Sequence, residues 1–363
     1  MLKSLLQWSV WPACLATNMA PVITGAILAP QLVPQIAAAT TIVLMSVLLV
    51  VEQLLPHRVD WAIGGDSEVW RDIGHSVAYA AAVNASRVLF LVSLGSGISA
   101  LGLSDLFGLW PLSRSVWLQI VIVIMLGDFL EYLYHRLSHS YAFLWRLHAL
   151  HHTSVRLHAL KGARHHILYA FGRGVAVWLP LLVVGAPAGL VYWQFIAVTI
   201  AGLTAHANVS FTIPAFMHRL AVTPEFHRIH HAADPKLGNT NFGVVFSVWD
   251  MLFGTHSDPL KIVVGETGID DDPIPRRFLE ELRSPVTYAT LVAGRRGEHF
   301  VESASASLHE RPDDLDGVAV LPRHELLDAE RHVLADVETP LAVGREEMES
   351  PDRSRRDAHR SPR

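Results

Sequence analysis

Histidine placement constrains this chain more than any other feature. Thirteen of its 21 histidines fall between positions 135 and 231, and five of them, His135, His139, His148, His151 and His152, sit in the nineteen-residue run "YHRLSHSYAFLWRLHALHH". A second "HxxHH" box, "HRIHH", returns as His227, His230 and His231. If residues 127–140 are helical, His135 and His139 share one face with Cβ atoms about 5–6 Å apart, close enough for two rings to converge. Positions i, i+3 and i+4 of "HALHH" and "HRIHH" also share a helical face, so each box is expected to offer three ring nitrogens in one direction. A lone HxxxH is more often a pair of helix-end histidines than a metal site. Three boxes in so short an interval supply eight nitrogens, more than the four or so that one zinc takes, so a pair of metals is expected. Imidazole serves zinc, copper, iron and nickel alike, and ligand type does not select among them.

The rest of the chain decides where such a site would sit. Hydrophobic residues make up 51% and charged residues only 17%, a balance that points to a membrane protein. Residues 4–51 and 174–218 contain no Asp, Glu, Lys or Arg, and uncharged apolar runs of this length read as membrane spans. Pro12, Pro21, Pro30 and Pro34 interrupt the first run and no clear cleavage site follows it, so it is expected to be a retained anchor rather than a removed signal. Spans are expected near residues 5–28, 36–55 and 73–103, the last bent at Gly95 and Gly97. A helix over residues 115–139 would carry the first box out of the hydrocarbon, with the membrane edge at Tyr132 and Tyr134. Residues 175–184 and 189–205, divided by "GAPAG", read either as a hairpin or as two tilted spans. The basic stretch 136–173 marks the cytoplasmic side by its excess of Lys and Arg, and the histidine boxes are expected to face that side.

Three regions follow: N-terminal spans over 1–114, a histidine-bearing domain over 115–290 with a short helix at 276–282, and a polar tail over 291–363. Residues 301–363 hold no aromatic residue and 24 charged ones, too little apolar surface to close a core, so disorder is expected there. The single cysteine, Cys14, excludes an internal disulfide and a cysteine-rich metal site. The formal net charge of -5 gives no nucleic-acid signal. No HExxH, GxSxG, Walker or GxGxxG motif competes with the histidine boxes. Asp128 and Glu131 share the helix of His135 and its inward side, where a carboxylate would accept the second ring N–H of a metal-bound histidine. For Glu131 an ion pair with Arg136 or a loop arginine is an equal alternative.

Taken together, "HRLSH", "HALHH", "TAHANV", "TPEFHRIHH", "NTNFGVVFSVWDMLFGTH" and "GIDDDPIPRRFLEEL" resemble the fatty acid hydroxylase and sterol desaturase superfamily of membrane non-haem di-iron enzymes. The likeness covers residues 118–285. It implies an all-α fold, an integral membrane helical bundle under a cytoplasmic histidine-rich helical cap holding a dimetal site. It also implies two Fe ions as cofactor, O2 as co-substrate, and oxidation of a lipid C–H bond by hydroxylation or desaturation. Electrons would come from NAD(P)H through a separate cytochrome b5- or ferredoxin-like carrier, since no "HPGG" phrase of a fused cytochrome is present. By the same resemblance the metal ligands are His135, His139, His148, His151, His152, His206, His227, His230 and His231. His166 of "RHHILY" is a tenth, in a segment that lacks the family's usual Pro and Glu; His165 stands beside it. Asn208 and Asp250 are assigned supporting places beside the ligands, and His158 is left as supporting residue, ligand or surface group. A histidine-rich membrane metal transporter and a zinc lipid hydrolase are the rival classes.

Overall fold

The computed structural model describes residues 2–103 and 109–309, with side chains over 7–29, 31–103 and 109–293. Among the described residues the chain is helical, and its backbone pairs as β structure only at two isolated bridges, Pro56 with Val209 and Ala232 with Thr267. Five helices among the described residues are long and apolar enough to cross a membrane. We label the helices α1 (Leu2–Leu28), α2 (Val33–Leu54), α3 (Val69–Ala100), α4 (Val116–Ser140), α5 (Ala142–His152), α6 (Ile167–Val183), α7 (Ala188–His206), α8 (Pro224–His230), α9 (Val248–Phe253) and α10 (Phe278–His309). The spanning helices are α1, α2, α3, α4 and α7, and α6 is a shorter apolar helix packed among them. One apolar core, including Leu48, Phe90, Val123, Trp178, Val191 and Ile200, runs through this bundle.

Local chemistry sets the boundaries. The Ser115 hydroxyl accepts the N–H of Leu118 to start α4, and Thr223 accepts that of Phe226 to start α8, with Pro224 at its first position, both N-caps that satisfy orphan donors. Gly254, at φ +70°, ends α9 in the left-handed conformation, which glycine adopts without strain. α3 widens into a π-type stretch over Val88–Leu94, and α6 does so over Gly174–Trp178. A Cβ on Gly127 would come within 2.3 Å of Gln194 Cγ, so the bare backbone of α4 lets the Gln194 side chain of α7 lie across it.

Several expectations change. The apolar run at 175–184 is the latter part of α6, and 189–205 is a full spanning helix rather than a short half of a hairpin. Tyr132 and Tyr134 are 0% and 5% exposed. Tyr132 stacks on Phe253 at 5.4 Å and Tyr134 packs on Tyr169 at 4.9 Å, so these rings are interior packing, not anchors at a lipid surface. The helix expected at 276–282 is α10, which begins at Phe278 and continues to His309, into the region assigned to the polar tail. Residues 310–363, the bulk of that tail, lie outside the described residues.

The segments that leave the bundle between α2 and α3, between α4 and α6, and after α7 gather at one end. There His57 N–H donates to Asn208 O at 3.1 Å and Ser210 N–H to Leu55 O at 2.9 Å. Glu52, buried at the end of α2, accepts the N–H groups of Ala159 at 2.7 Å and Asn208 at 2.9 Å, holding the cap to the bundle.

Candidate metal centre

The cap brings nine histidines into two groups. His135, His139, His148, His152 and His230 form one, and His151, His206, His227 and His231 the other; within each, one ring nitrogen per residue lies within 4.8 Å of all the rest. These are nine of the ten expected ligands. The boxes do not act as expected, however. From "HALHH", His148 and His152 enter the first group while His151 enters the second; from "HRIHH", His227 and His231 enter the second while His230 crosses to the first. Each short helix gives its i,i+4 pair to one group and its i+3 residue to the other. The two groups are thereby forced to be neighbours, with His152 stacked on His231 at 4.5 Å.

The hydrogen bonds fix which nitrogen faces inward. His135 Nδ1 donates to Phe242 O at 2.8 Å, His206 Nδ1 to Gly202 O at 2.6 Å, His230 Nδ1 to Thr240 O at 2.9 Å and His151 Nδ1 to Arg164 O at 3.3 Å. A carbonyl oxygen only accepts, so Nδ1 carries the proton and Nε2 presents a bare lone pair. His139 Nδ1 lies 3.1 Å from Asn239 Oδ1. The inward nitrogens crowd together: His206 Nε2 is 3.0 Å from His227 Nε2, 3.1 Å from His151 Nε2 and 3.2 Å from His231 Nε2. In the first group His148 Nε2 is 3.0 Å from His135 Nε2 and 3.1 Å from His152 Nε2. Nε2 of His139 and of His230 are buried without a hydrogen-bond partner. Lone pairs facing one another at such distances repel unless a cation lies between them. Metal–nitrogen bonds of about 2.0–2.1 Å separate ligand nitrogens by about 3.0–3.4 Å, so the residues present fit a pair of metal ions.

Burial also holds the rings neutral. His148, His151, His152, His227, His230 and His231 are pushed well below the ordinary imidazole pKa, first by desolvation and then by the neighbouring histidines. Neutral rings keep the lone pair a metal needs.

His166 is a correction. Its Nδ1 accepts the Leu168 N–H at 3.2 Å, capping α6, and its Nε2 donates to Leu282 O at 2.9 Å. An N-cap side chain folds back on its own helix, so His166 turns away from the centre. His165 turns toward it, stacked on His151 at 3.9 Å with 13° between the rings and on Tyr169 at 5.2 Å. The two neighbours point opposite ways because the chain is extended just before α6.

The polar residues expected to contact ligand rings act one step further out. Asp128 accepts from the N–H groups of Val245 at 2.8 Å and Phe246 at 3.0 Å and from Trp249 Nε1 at 2.9 Å. Asp250 accepts from the N–H groups of Phe242 at 2.8 Å and Gly243 at 2.7 Å and from the Thr255 hydroxyl at 2.6 Å. Both carboxylates clamp the loop whose Phe242 carbonyl holds His135. Glu131 pairs with Arg173 at 2.5–3.1 Å and accepts from Gln194 Nε2 at 3.0 Å, so of its two expected roles the structure places it in an ion pair, with Arg173 and not Arg136, rather than against a histidine ring. Asn208 bonds the backbone of Arg58 through both ends of its amide, at 2.9 Å each.

His158 belongs to a buried charge network instead. It lies 3.1 Å from Asp66, while Lys161 Nζ is 2.6 Å from Asp72 and 3.3 Å from both Asp66 and Glu68. Lys161 already neutralises carboxylates that would otherwise form, with His158, a third ligand-type cluster. Arg164, which holds His151 through its carbonyl, bonds Glu68 at 3.0 Å, Asp72 at 2.9 Å and Glu281 at 2.8 Å. Sequence reading missed Arg164, Arg173, Glu52 and Glu281. For Glu52 and Arg173 the signal was a charged residue bordering an uncharged apolar run, which calls for a buried partner; Arg164 and Glu281 lie in polar sequence that gives no such signal.

A cavity of about 460 Å³ reaches the centre from the bundle, lined by His135, His148, His151, His165, His206 and His227 at one end and by residues of α2, α3 and α7 at the other.

An all-helical membrane bundle capped by paired histidine groups above an apolar cavity defines an integral membrane protein with a candidate metal site. Residues 120–255 match the family model described as fatty acid hydroxylase, in agreement with the superfamily that the histidine boxes resemble. An ornithine lipid hydroxylase of Rhizobium tropici is 29% identical over 284 residues, covering 76% of this chain and 82% of that relative. Alkylglycerol monooxygenases of Caenorhabditis elegans and Homo sapiens are 28% and 26% identical over 38% and 39% of this chain, but the match spans only 28% and 31% of those proteins. No solved structure matches this chain.

Proposed function

We propose that this protein is an integral membrane di-iron oxygenase that hydroxylates a C–H bond of a lipid, using O2 and two electrons delivered from NAD(P)H by a separate cytochrome b5- or ferredoxin-like carrier. The observation that carries this reading is the convergence of nine inward-facing imidazoles in two adjoining groups at the end of an apolar cavity. Two irons held there would supply the oxidising power, drawn from O2, that an unactivated C–H bond requires and that zinc lacks. The first group of five histidines would hold one ion and the second group of four the other. His151 and His206 face the cavity from the second group and His135 and His148 from the first, so substrate meets both groups at once. The carbonyls of Phe242, Arg164, Gly202 and Thr240 fix ring tautomer and angle, and the carboxylates of Asp128 and Asp250 hold the loop that supplies the first of them.

The names of the relatives, hydroxylase and monooxygenase, favour hydroxylation over desaturation. The excess of Lys and Arg in residues 136–173 supports a cytoplasmic cap. The test is metal analysis of purified protein with lipid mass spectrometry under O2 and reductant. Iron together with a lipid gaining one oxygen is the expected result. Zinc alone with unchanged lipid mass overturns the reading, and loss of two hydrogens assigns desaturation instead.

A further inference from the structure

The cavity's far wall is not closed by protein. Thr41, Ile42 and Ser46 of α2 and Ala80, Val83 and Asn84 of α3 line it; Ile42 is 67% exposed, and Ser46, Ala80 and Asn84 are exposed as well. Ser46 and Ile42 lie about 12–18 Å along α2 from Leu54, and Ala80 and Asn84 about 16–22 Å along α3 from Val69, at a rise of 1.5 Å per residue. Both stretches belong to spanning helices, so what stands outside this lip is lipid hydrocarbon, about 30 Å thick across the bilayer.

The opposite end of the cavity is far less exposed. Beside the histidines its lining residues Val222, Gly243 and Ala205 are buried and Val244 and His165 partly buried, and eight of the nine converging histidines are at most 6% exposed. The ninth, His139, is only partly exposed.

We infer that the gap between α2 and α3 is a lateral portal through which the hydrocarbon chain of a bilayer-resident lipid threads to the metal centre. The substrate class is then a lipid dissolved in the membrane, not an acyl thioester delivered from water. The volume, about 460 Å³, lies within the roughly 300–1,000 Å³ usual for small-molecule sites, and its apolar lining matches an alkyl chain. That the threaded lipid is oxidised rests on the oxygenase reading; that it threads does not.

The test separates the two. Protein is reconstituted in nanodiscs containing a phospholipid with a diazirine on one acyl chain, irradiated, and mapped by mass spectrometry. Adducts are expected on the buried cavity residues Leu203 and Ala205 as well as on the lipid-facing Val88 and Leu89. Ala80→Trp, which fills the lip from an exposed position, should remove most of the interior adducts, at least tenfold, and leave the outer ones; Ile42→Trp is the second, independent block. Outer adducts alone in the wild type, or interior adducts unchanged in both variants, overturn the portal. If products form, undiminished turnover of a water-delivered acyl-coenzyme A thioester in Ala80→Trp also overturns it. Portal-dependent labelling in protein that holds zinc alone and leaves lipid mass unchanged under O2 and reductant keeps the portal standing and removes the oxygenase reading.

Discussion

At the scale of single residues, His206 and His166 make opposite predictions. His206 Nε2 faces three other ring nitrogens within 3.2 Å, and removing it leaves its group with three. His206→Ala should lower bound metal by about half, because the group no longer supplies the usual four protein ligands. His166→Ala should leave metal content unchanged and cost about 1 kcal/mol of stability, the usual worth of an N-cap. Inductively coupled plasma analysis of both variants, with a thermal melt, checks the pair; equal metal loss in both would return His166 to the ligand set. This contrast also shows what spacing encodes. Ring identity and the i,i+4 separation of His135 and His139 announced their convergence, because helix geometry converts spacing directly into direction. The choice between His165 and His166 depends on where α6 begins, and a boundary displaced by one residue swaps the inward ring for the capping one. Likewise Asp128 was legible as an inward-facing carboxylate, but its partners are the Val245 and Phe246 N–H groups and the Trp249 indole N–H, more than a hundred residues along the chain, which no local pattern reveals.

At the scale of elements, the cap is held by a network of buried charges centred on Glu68. Glu68 binds Lys161 at 3.3 Å, Arg164 at 3.0 Å and Arg71 at 2.7 Å, and Arg276 just before α10. Burial works to raise its pKa, but Lys161, Arg164 and Arg276 outweigh that and hold it down from 4.5 to about 2. A carboxylate depressed in the folded state adds stability that is complete above about pH 4.5 and lost as pH falls through about 2. At about 1.4 kcal/mol per pKa unit the contribution is about 3 kcal/mol. Glu68→Gln should therefore be less stable than the wild type at pH 7 by up to about 3 kcal/mol, with the difference closing between about pH 4.5 and 2. Melting curves of both proteins in detergent across that range measure it, and a constant difference would show that Glu68 acts through packing alone. The helices themselves were largely readable, since long uncharged runs can only be spans. The splitting of each "HxxHH" box between two groups was not, because residues three and four apart on one face still diverge by tens of degrees, and which ring meets which neighbour is decided by the opposing helix.

At the scale of the whole molecule, two kinds of adhesion are separable. The bundle is joined by apolar packing that runs from α1 to α7, and Asn18 Nδ2 ties α1 to α2 through Thr40 O at 2.7 Å; none of this involves a histidine. The cap is joined by nine imidazoles drawn from α4, α5, α7, α8 and the residue following α8, and without a cation their lone pairs oppose one another. Metal binding to the folded state alone adds RT ln(1 + [L]/Kd), about 4 kcal/mol when free metal is a thousandfold above Kd. Removing the metal with a chelator should therefore lower the melting temperature and loosen the cap before the bundle. Hydrogen exchange read by mass spectrometry should rise at least tenfold in residues 142–166 and 224–243 and stay within twofold in α1 and α2, since local opening follows local stability. Restoring iron should reverse the change. Exchange that rises evenly through cap and spans would mean that the histidine groups stabilise the entire bundle, and exchange unchanged everywhere would mean that the rings are held by the protein frame without help from an ion. The predicted asymmetry follows from the topology: every histidine of the two groups lies at one end of the bundle or in the short helices that cover it, where water would reach the backbone once a bound cation was removed.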